Sequence, residues 1–174
     1  QESVDHSKKN DYRTIEQTME KLSGGTRRLA AQLTTSASFD SLWNVLTDYD
    51  RLNLYIPNLL SSKKIYQKNN NVHLKQVGAQ DFLGMKFSAE VTIDLFEDKE
   101  LGLLKFSLIK GDFRKFEGSW KIQNIKNTSK NSLIYDLTVQ GCQWMPIGMI
   151  EKRLKKDLSE NLIAVDRQAK LSIN

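Results

Sequence analysis

Apolar and polar residues alternate one by one through most of the middle of the chain, then switch to helical spacing near its end. The clearest alternation covers residues 85–97. Met85, Phe87, Ala89, Val91, Ile93 and Leu95 share one parity, and Lys86, Ser88, Glu90, Thr92 and Asp94 the other. A period of two over that length predicts a strand with one dry and one wet face. The same pattern predicts strands over 27–35 (Leu29, Ala31, Leu33), 113–125 and 133–140, and strands are also expected over 61–68, 72–80 and 103–110. Asn69-Asn70-Asn71 separates two of them as a hairpin-like turn, and 126–131 is a second polar turn.

Helical spacing occurs in three places. Ser38 stands as an N-cap before Phe39, Leu42, Trp43, Leu46 and Tyr49. Asp50 caps a second short helix expected over 51–56, and Pro57 stops it because its ring disfavours helix at the preceding residue. After Pro146, the residues Ile150, Leu154, Leu158, Leu162, Val165 and Ala169 form a narrow apolar stripe. A helix of about 22 residues there is ~33 Å long. Glu151, Lys152, Arg153, Lys155, Lys156, Asp157, Glu160, Asp166 and Arg167 are expected on its solvated faces.

Residues 1–25 are expected to be a flexible polar arm, with a short helix over 12–22 (Ile15, Met19, Leu22) ended by Gly24-Gly25. The arm lacks the apolar run of a secretory signal and is richer in acids than a transit peptide. The chain starts at Gln rather than Met, so a targeting segment removed before Gln1 stays open. Residues 26–174 form the domain. Their order is strand, two short helices, six strands and a long helix, an α+β protein. One long helix must cover the dry face of about seven antiparallel strands, so the sheet curls around it. A curled sheet closed by one helix encloses a cavity.

Composition narrows the classes. The 174 residues carry 26 Lys plus Arg and 21 Asp plus Glu, a net charge of +5, but the two signs are interleaved rather than clustered. Two Pro and nine Gly exclude collagen and a Pro/Gly-rich disordered chain. No apolar run approaches the roughly 20 residues needed to span a bilayer as a helix. The single Cys142 excludes an internal disulfide framework and a multi-Cys zinc site, and fits a reducing, cytoplasmic setting.

No catalytic set emerges. His6 lies in the arm and His73 near a turn, neither with a second His or Cys to share a metal. Cys142 as a nucleophile needs His73 as its base, and nothing in the sequence brings them together; a small apolar residue near a strand end is the plainer reading. Gly24-Gly25 lacks the Lys-Ser/Thr of a phosphate loop. No metal or cofactor is expected. Trp43, Tyr49, Tyr55, Phe82, Phe87, Phe106, Phe116, Trp120 and Trp144 recur on or near inward faces, and large flat side chains suit both a close-packed core and a ligand sleeve. The run Lys152, Arg153, Lys155, Lys156 reads as the wet side of an amphipathic helix or as an attractor for an anionic membrane or RNA.

Four stretches together form a recognisable pattern: Leu42-Trp43-Asn44-Val45-Leu46-Thr47-Asp48-Tyr49 running to Ile56-Pro57-Asn58-Leu59; Gly111-Asp112-Phe113 with Phe116-Glu117-Gly118-Ser119-Trp120; Trp144-Met145-Pro146; and the helix over 151–162. Over residues 27–170 the chain resembles the START-like (SRPBCC) superfamily, in its cyclase/dehydrase and coenzyme-Q-binding branch. The resemblance implies a helix-grip fold, a curved seven-stranded antiparallel sheet around the C-terminal helix. It also implies a cavity for a lipid, a quinone or isoprenoid, or a polyketide-like molecule.

Three functions follow. The first is binding or carriage of a hydrophobic ligand, with transient contact to a membrane surface. The second is a cyclase/dehydrase-type enzyme on an aromatic precursor, needing a polar group in the cavity such as Tyr135, Gln76 or Arg114. The third is a ribosome, RNA or protein-interaction module using the basic helix. The first is preferred, with a cavity of at least about 300 Å³. Trp43 and Tyr49 are expected to close it from the short helices, Phe87, Phe106 and Trp120 to line the sheet side, and Trp144, Leu154 and Leu158 the helix side. Arg114 and Glu117 either orient a polar ligand head or form a cross-strand ion pair on the outer face.

Overall fold

The computed structural model describes residues 15–171 except residue 83, and the side chains of 80–82 fall outside the description. The expectations for residues 1–14, with His6, and for the Phe82 side chain therefore lie outside the described residues.

Eight strands and two α-helices follow one another as β1 (Glu16–Lys21), β2 (Thr26–Thr35), α1 (Phe39–Leu46), β3 (Leu59–Lys68), β4 (Asn71–Phe82), β5 (Met85–Asp98), β6 (Leu103–Gly111), β7 (Lys115–Asn124), β8 (Asn131–Gln140) and α2 (Ile147–Leu171). The strands form one antiparallel sheet in the order β1-β2-β8-β7-β6-β5-β4-β3. This is the helix-grip-like architecture expected, with eight strands instead of seven.

The extra strand is β1, formed where a helix was expected over 12–22. Ile15 and Met19 are four apart, a spacing that fits either period. A helix of this length is marginal alone. As a strand, Glu16–Lys21 pairs with Gln32–Arg27 and satisfies the outer backbone edge of β2. Gln17 Nε2 also donates to the Lys155 carbonyl at 2.6 Å, tying β1 to α2.

Ser38 caps α1 as expected, its hydroxyl accepting from Ser41 N at 3.1 Å. The second short helix is a 3-10 turn over Tyr49–Leu54, earlier than the expected 51–56. Asp50 does not cap it; its carboxylate accepts from Lys64 N at 2.8 Å and so fastens the turn to β3.

Bulges bend the sheet. One residue on β6, Ile109, has no partner between the pairs Thr92↔Lys110 and Ile93↔Leu108, and β3 skips Leu60 and Ile65 in the same way. An unpaired bulge residue leaves the alternation. All three apolar side chains are exposed for that reason.

The concave face packs on α2, whose stripe Ile150, Leu154, Leu158, Leu162, Val165 and Ala169 is buried throughout. Two residues expected on solvated faces are buried with it, Asp157 and Asp166, at 8% and 1% exposure. Each borders the stripe, three residues after Leu154 and one after Val165. Asp166 is stabilised by the Thr35 hydroxyl, which donates to it, and by Lys170 Nζ at 3.0 Å. Three of the four cations in the basic run make i,i+4 pairs: Arg153 with Asp157, Lys155 with Glu151, and Lys156 with Glu160.

Candidate functional site

Between the concave face and the N-terminal half of α2 the packing is incomplete, leaving a cavity of about 200 Å³. The sheet supplies Leu74, Val91, Ile93 and Leu104 with the rings of Phe106, Phe116 and Trp120. Helix α2 supplies Ile150, Leu154 and Leu158, and the stretch Leu46 to Leu59 closes the remaining side. Beyond Leu158 the helix meets the sheet in solid core, with Leu162, Val165 and Ala169 fully buried. The volume is below the expected ~300 Å³ floor for ligand pockets. It exceeds the ~150 Å³ apolar cavity that admits benzene in an engineered core.

The segment Gly111 to Trp120 builds one wall. Gly111 has φ +149°, and a Cβ there would stand 2.4 Å from the Glu90 carbonyl. Asp112 locks the same turn, its backbone N donating to Glu90 O at 2.9 Å while its carboxylate accepts from Glu90 N at 2.7 Å. That turn delivers Phe113 and Phe116 to the cavity. Gly118 lies so close to β8 that a Cβ would fall 1.9 Å from the Asp136 carbonyl. Two residues on, Trp120 stacks flat on Tyr135, with centroids 4.1 Å apart and planes 10° apart.

The comparison with known families is decisive on ancestry. Residues 35–166 match the model for polyketide cyclase/dehydrase and lipid transport proteins, a span that holds every cavity-lining residue. The chain belongs to that family. No curated protein matches it in sequence. Solved structures with the same fold include the Zhui aromatase/cyclase from Streptomyces sp. R1128, at 14% identity and TM-score 0.73 over 86% of this chain and 96% of that one. A STAR-related lipid transfer protein from Xanthomonas axonopodis aligns at 11% identity and TM-score 0.76, over 90% and 93% of the two chains. A norcoclaurine synthase point mutant from Thalictrum flavum aligns at 13% identity and TM-score 0.62, over 90% and 99%.

Of the eight side chains expected around the cavity of this polyketide cyclase/dehydrase family member, Tyr49, Phe106, Trp120, Leu154 and Leu158 line it. Trp43, Phe87 and Trp144 do not. Trp43 is core, stacked on Phe39 at 6.0 Å, and Leu46 faces the cavity in its place. Phe87 has the inward parity and pairs with Gln80, but β4 and β5 run on there as a two-stranded extension: β6 pairs only from Val91 and β3 only to Gly78, the partner of Ala89. Trp144 is 51% exposed in a turn closed by Cys142 and Met145, and it is Met145 that turns inward.

The sequence reading missed a polar group in the wall: Asn58, Asp157 and Asn161. Asn58 Nδ2 donates to Asp157 Oδ1 at 3.3 Å, and Arg153 Nε stands 3.3 Å from the same oxygen. Asn58 has φ +61°, a left-handed conformation that Asn tolerates better than most residues. The only sequence signal for Asp157 and Asn161 is their position three residues after Leu154 and Leu158, on the flank of the stripe.

Tyr135 and Gln76 also line the cavity, whereas Arg114 is exposed and does not. Gln76 Nε2 donates to Ser62 Oγ at 3.1 Å. Glu117 pairs with Lys115, its neighbour on β7, at 3.3 Å rather than with Arg114. Burial raises the Tyr135 phenol pKa well above its ordinary value, and the charge of Asp157 adds to that. Burial likewise raises Tyr49, with help from its hydrogen bond to Glu97.

Proposed function

We propose that this protein binds and carries a hydrophobic small molecule between the sheet and α2. One observation carries the reading: the cavity wall is apolar and aromatic, yet the fold spends a 25-residue helix on covering it without filling it. Well-folded cores close to near-crystalline density, so an apolar void between sheet and helix supports a binding role. The family description includes lipid transport, and one protein of the same fold is a lipid transfer protein.

A second reading, catalysis on an aromatic precursor, draws on the polar groups in the wall and on an aromatase/cyclase and a synthase of the same fold. Proton transfer at neutral pH works best from groups that titrate near it. The environment of Tyr135 moves it the other way, so its phenol stays protonated and serves as a hydrogen-bond donor. Carriage is therefore the better-supported reading.

Native mass spectrometry followed by organic extraction tests it. A stoichiometric apolar adduct is expected on the wild-type protein. Leu158→Trp, which places an indole in the void, is expected to remove the adduct while the protein stays folded by circular dichroism. A wild-type protein that neither carries an adduct nor takes up any offered hydrophobe would overturn the proposal.

A further inference from the structure

Building on the carrier reading, we propose that the α2 side of the cavity is a subsite for a neutral hydroxyl head. Asn161 and Tyr135 receive that head, and Asp157 excludes a carboxylate in its place. Three observations point there. Asn161 Oδ1 is buried in the cavity wall and accepts no hydrogen bond. A buried acceptor without a donor is costly, and a ligand donor removes that cost. The Tyr135 ring is fixed by its stack on Trp120 and lines the same cavity. Asp157, paired with Asn58 and Arg153, brings a carboxylate within electrostatic range of Tyr135.

These groups select by chemistry. The group the wall leaves unsatisfied is an acceptor, Asn161 Oδ1, and the Tyr135 hydroxyl can donate or accept. A hydroxyl is the smallest ligand group that satisfies both, since it donates one hydrogen and accepts through its oxygen. A carbonyl cannot donate to Asn161 Oδ1, and an ammonium loses its hydration on entering an apolar wall. A carboxylate cannot donate and also meets the charge of Asp157, which a low-dielectric cavity screens poorly. The subsite is thus suited to an apolar alcohol or phenol and unsuited to a fatty acid.

The test uses the full chain at neutral pH and three probes of one shape: naphthalene, 2-naphthol and 2-naphthoate, titrated by quenching of tryptophan fluorescence. 2-Naphthol is expected to bind about tenfold tighter than naphthalene, the size of effect that one well-made hydrogen-bond pair gives. 2-Naphthoate is expected to bind more weakly than either. Asn161→Leu and Tyr135→Phe should each bring the naphthol-to-naphthalene ratio near one, with circular dichroism certifying the fold of each variant. Asp157→Asn should improve 2-naphthoate specifically. Equal binding of naphthol and naphthalene to the wild type overturns the subsite but leaves the carrier reading standing. So does a preference that survives both variants, or naphthoate as the tightest probe. If no probe binds, the subsite is overturned, and the carrier reading is decided by its own adduct test.

Discussion

At Gly118 strand β7 lies so close to β8 that only a residue without a side chain fits. A Cβ 1.9 Å from the Asp136 carbonyl cannot be relieved by a rotamer change, because both partners are backbone. Gly118→Ala must push β7 off β8, at a cost of about 1–3 kcal/mol. A urea titration should show a lower midpoint with an unchanged slope; a wild-type midpoint would mean the strand relaxes freely. The displaced strand carries Phe116 and Trp120, so ligand affinity should fall with stability. Glycines at such sites suit curved sheets generally, since a kink there needs no packing partner.

At the level of elements, α2 divides by function. Its N-terminal half leaves the void, and its C-terminal half anchors the helix through Asp166, Thr35 and Lys170. Asp166→Ala leaves the buried Thr35 hydroxyl without its acceptor and is expected to cost about 1–3 kcal/mol in chemical denaturation. Lys170→Ala should cost less, since its amine is 30% exposed and part of its pairing is screened by water. An Asp166 variant as stable as wild type would show that apolar packing alone holds this half.

The same elements show what the sequence disclosed. Strands β2 and β4 to β8 were legible because a period of two is written in each segment by itself, and β3 because the Asn69-Asn70-Asn71 turn sets it against β4. Strand β1 was not, because what makes Glu16–Lys21 a strand is the open edge of β2 and not its own pattern. Asp157 and Asp166 were misread for a related reason. Charge suggests solvent, and only the partners that Arg153, Asn58, Thr35 and Lys170 provide in three dimensions make burial tolerable. At the cavity, the residues that the strand and helix periods assign correctly are Phe106, Trp120, Leu154 and Leu158. The corner at Trp144 went astray because a turn has no period, and one step decides whether Trp144 or Met145 points inward.

For the whole molecule, three tyrosines among the described residues are held above the ordinary phenol value of 10.0. Burial is the main cause for Tyr49, Tyr55 and Tyr135, with Glu97, Asp48 and Asp157 adding to it respectively. The sign follows from proton binding. Above that ordinary value the unfolded chain releases protons that the native protein keeps, so stability is full below it and declines as pH rises further. Phenolate absorbance from these three should therefore appear in step with alkaline unfolding, and Tyr135→Phe should make the decline shallower. Absorbance from all the tyrosines rising ahead of unfolding would contradict the placement of these rings.

The strand order also has a consequence in time. Strands β3 to β7 each pair with a sequence neighbour, but β2 must find β8 across a hundred residues, as in the pair Arg28↔Thr138. Closing so long a loop is entropically slow. On the ribosome, β2 leaves the exit tunnel long before its partner is made, and α2 is made later still. Pulsed hydrogen exchange during refolding should find the β4–β5 amides protected before those of β2, and the reverse order would exclude this route. Until α2 docks, the hollow side of the sheet faces water as a bare apolar trough, so a hydrophobe present at that moment can act as a template for the helix that encloses it.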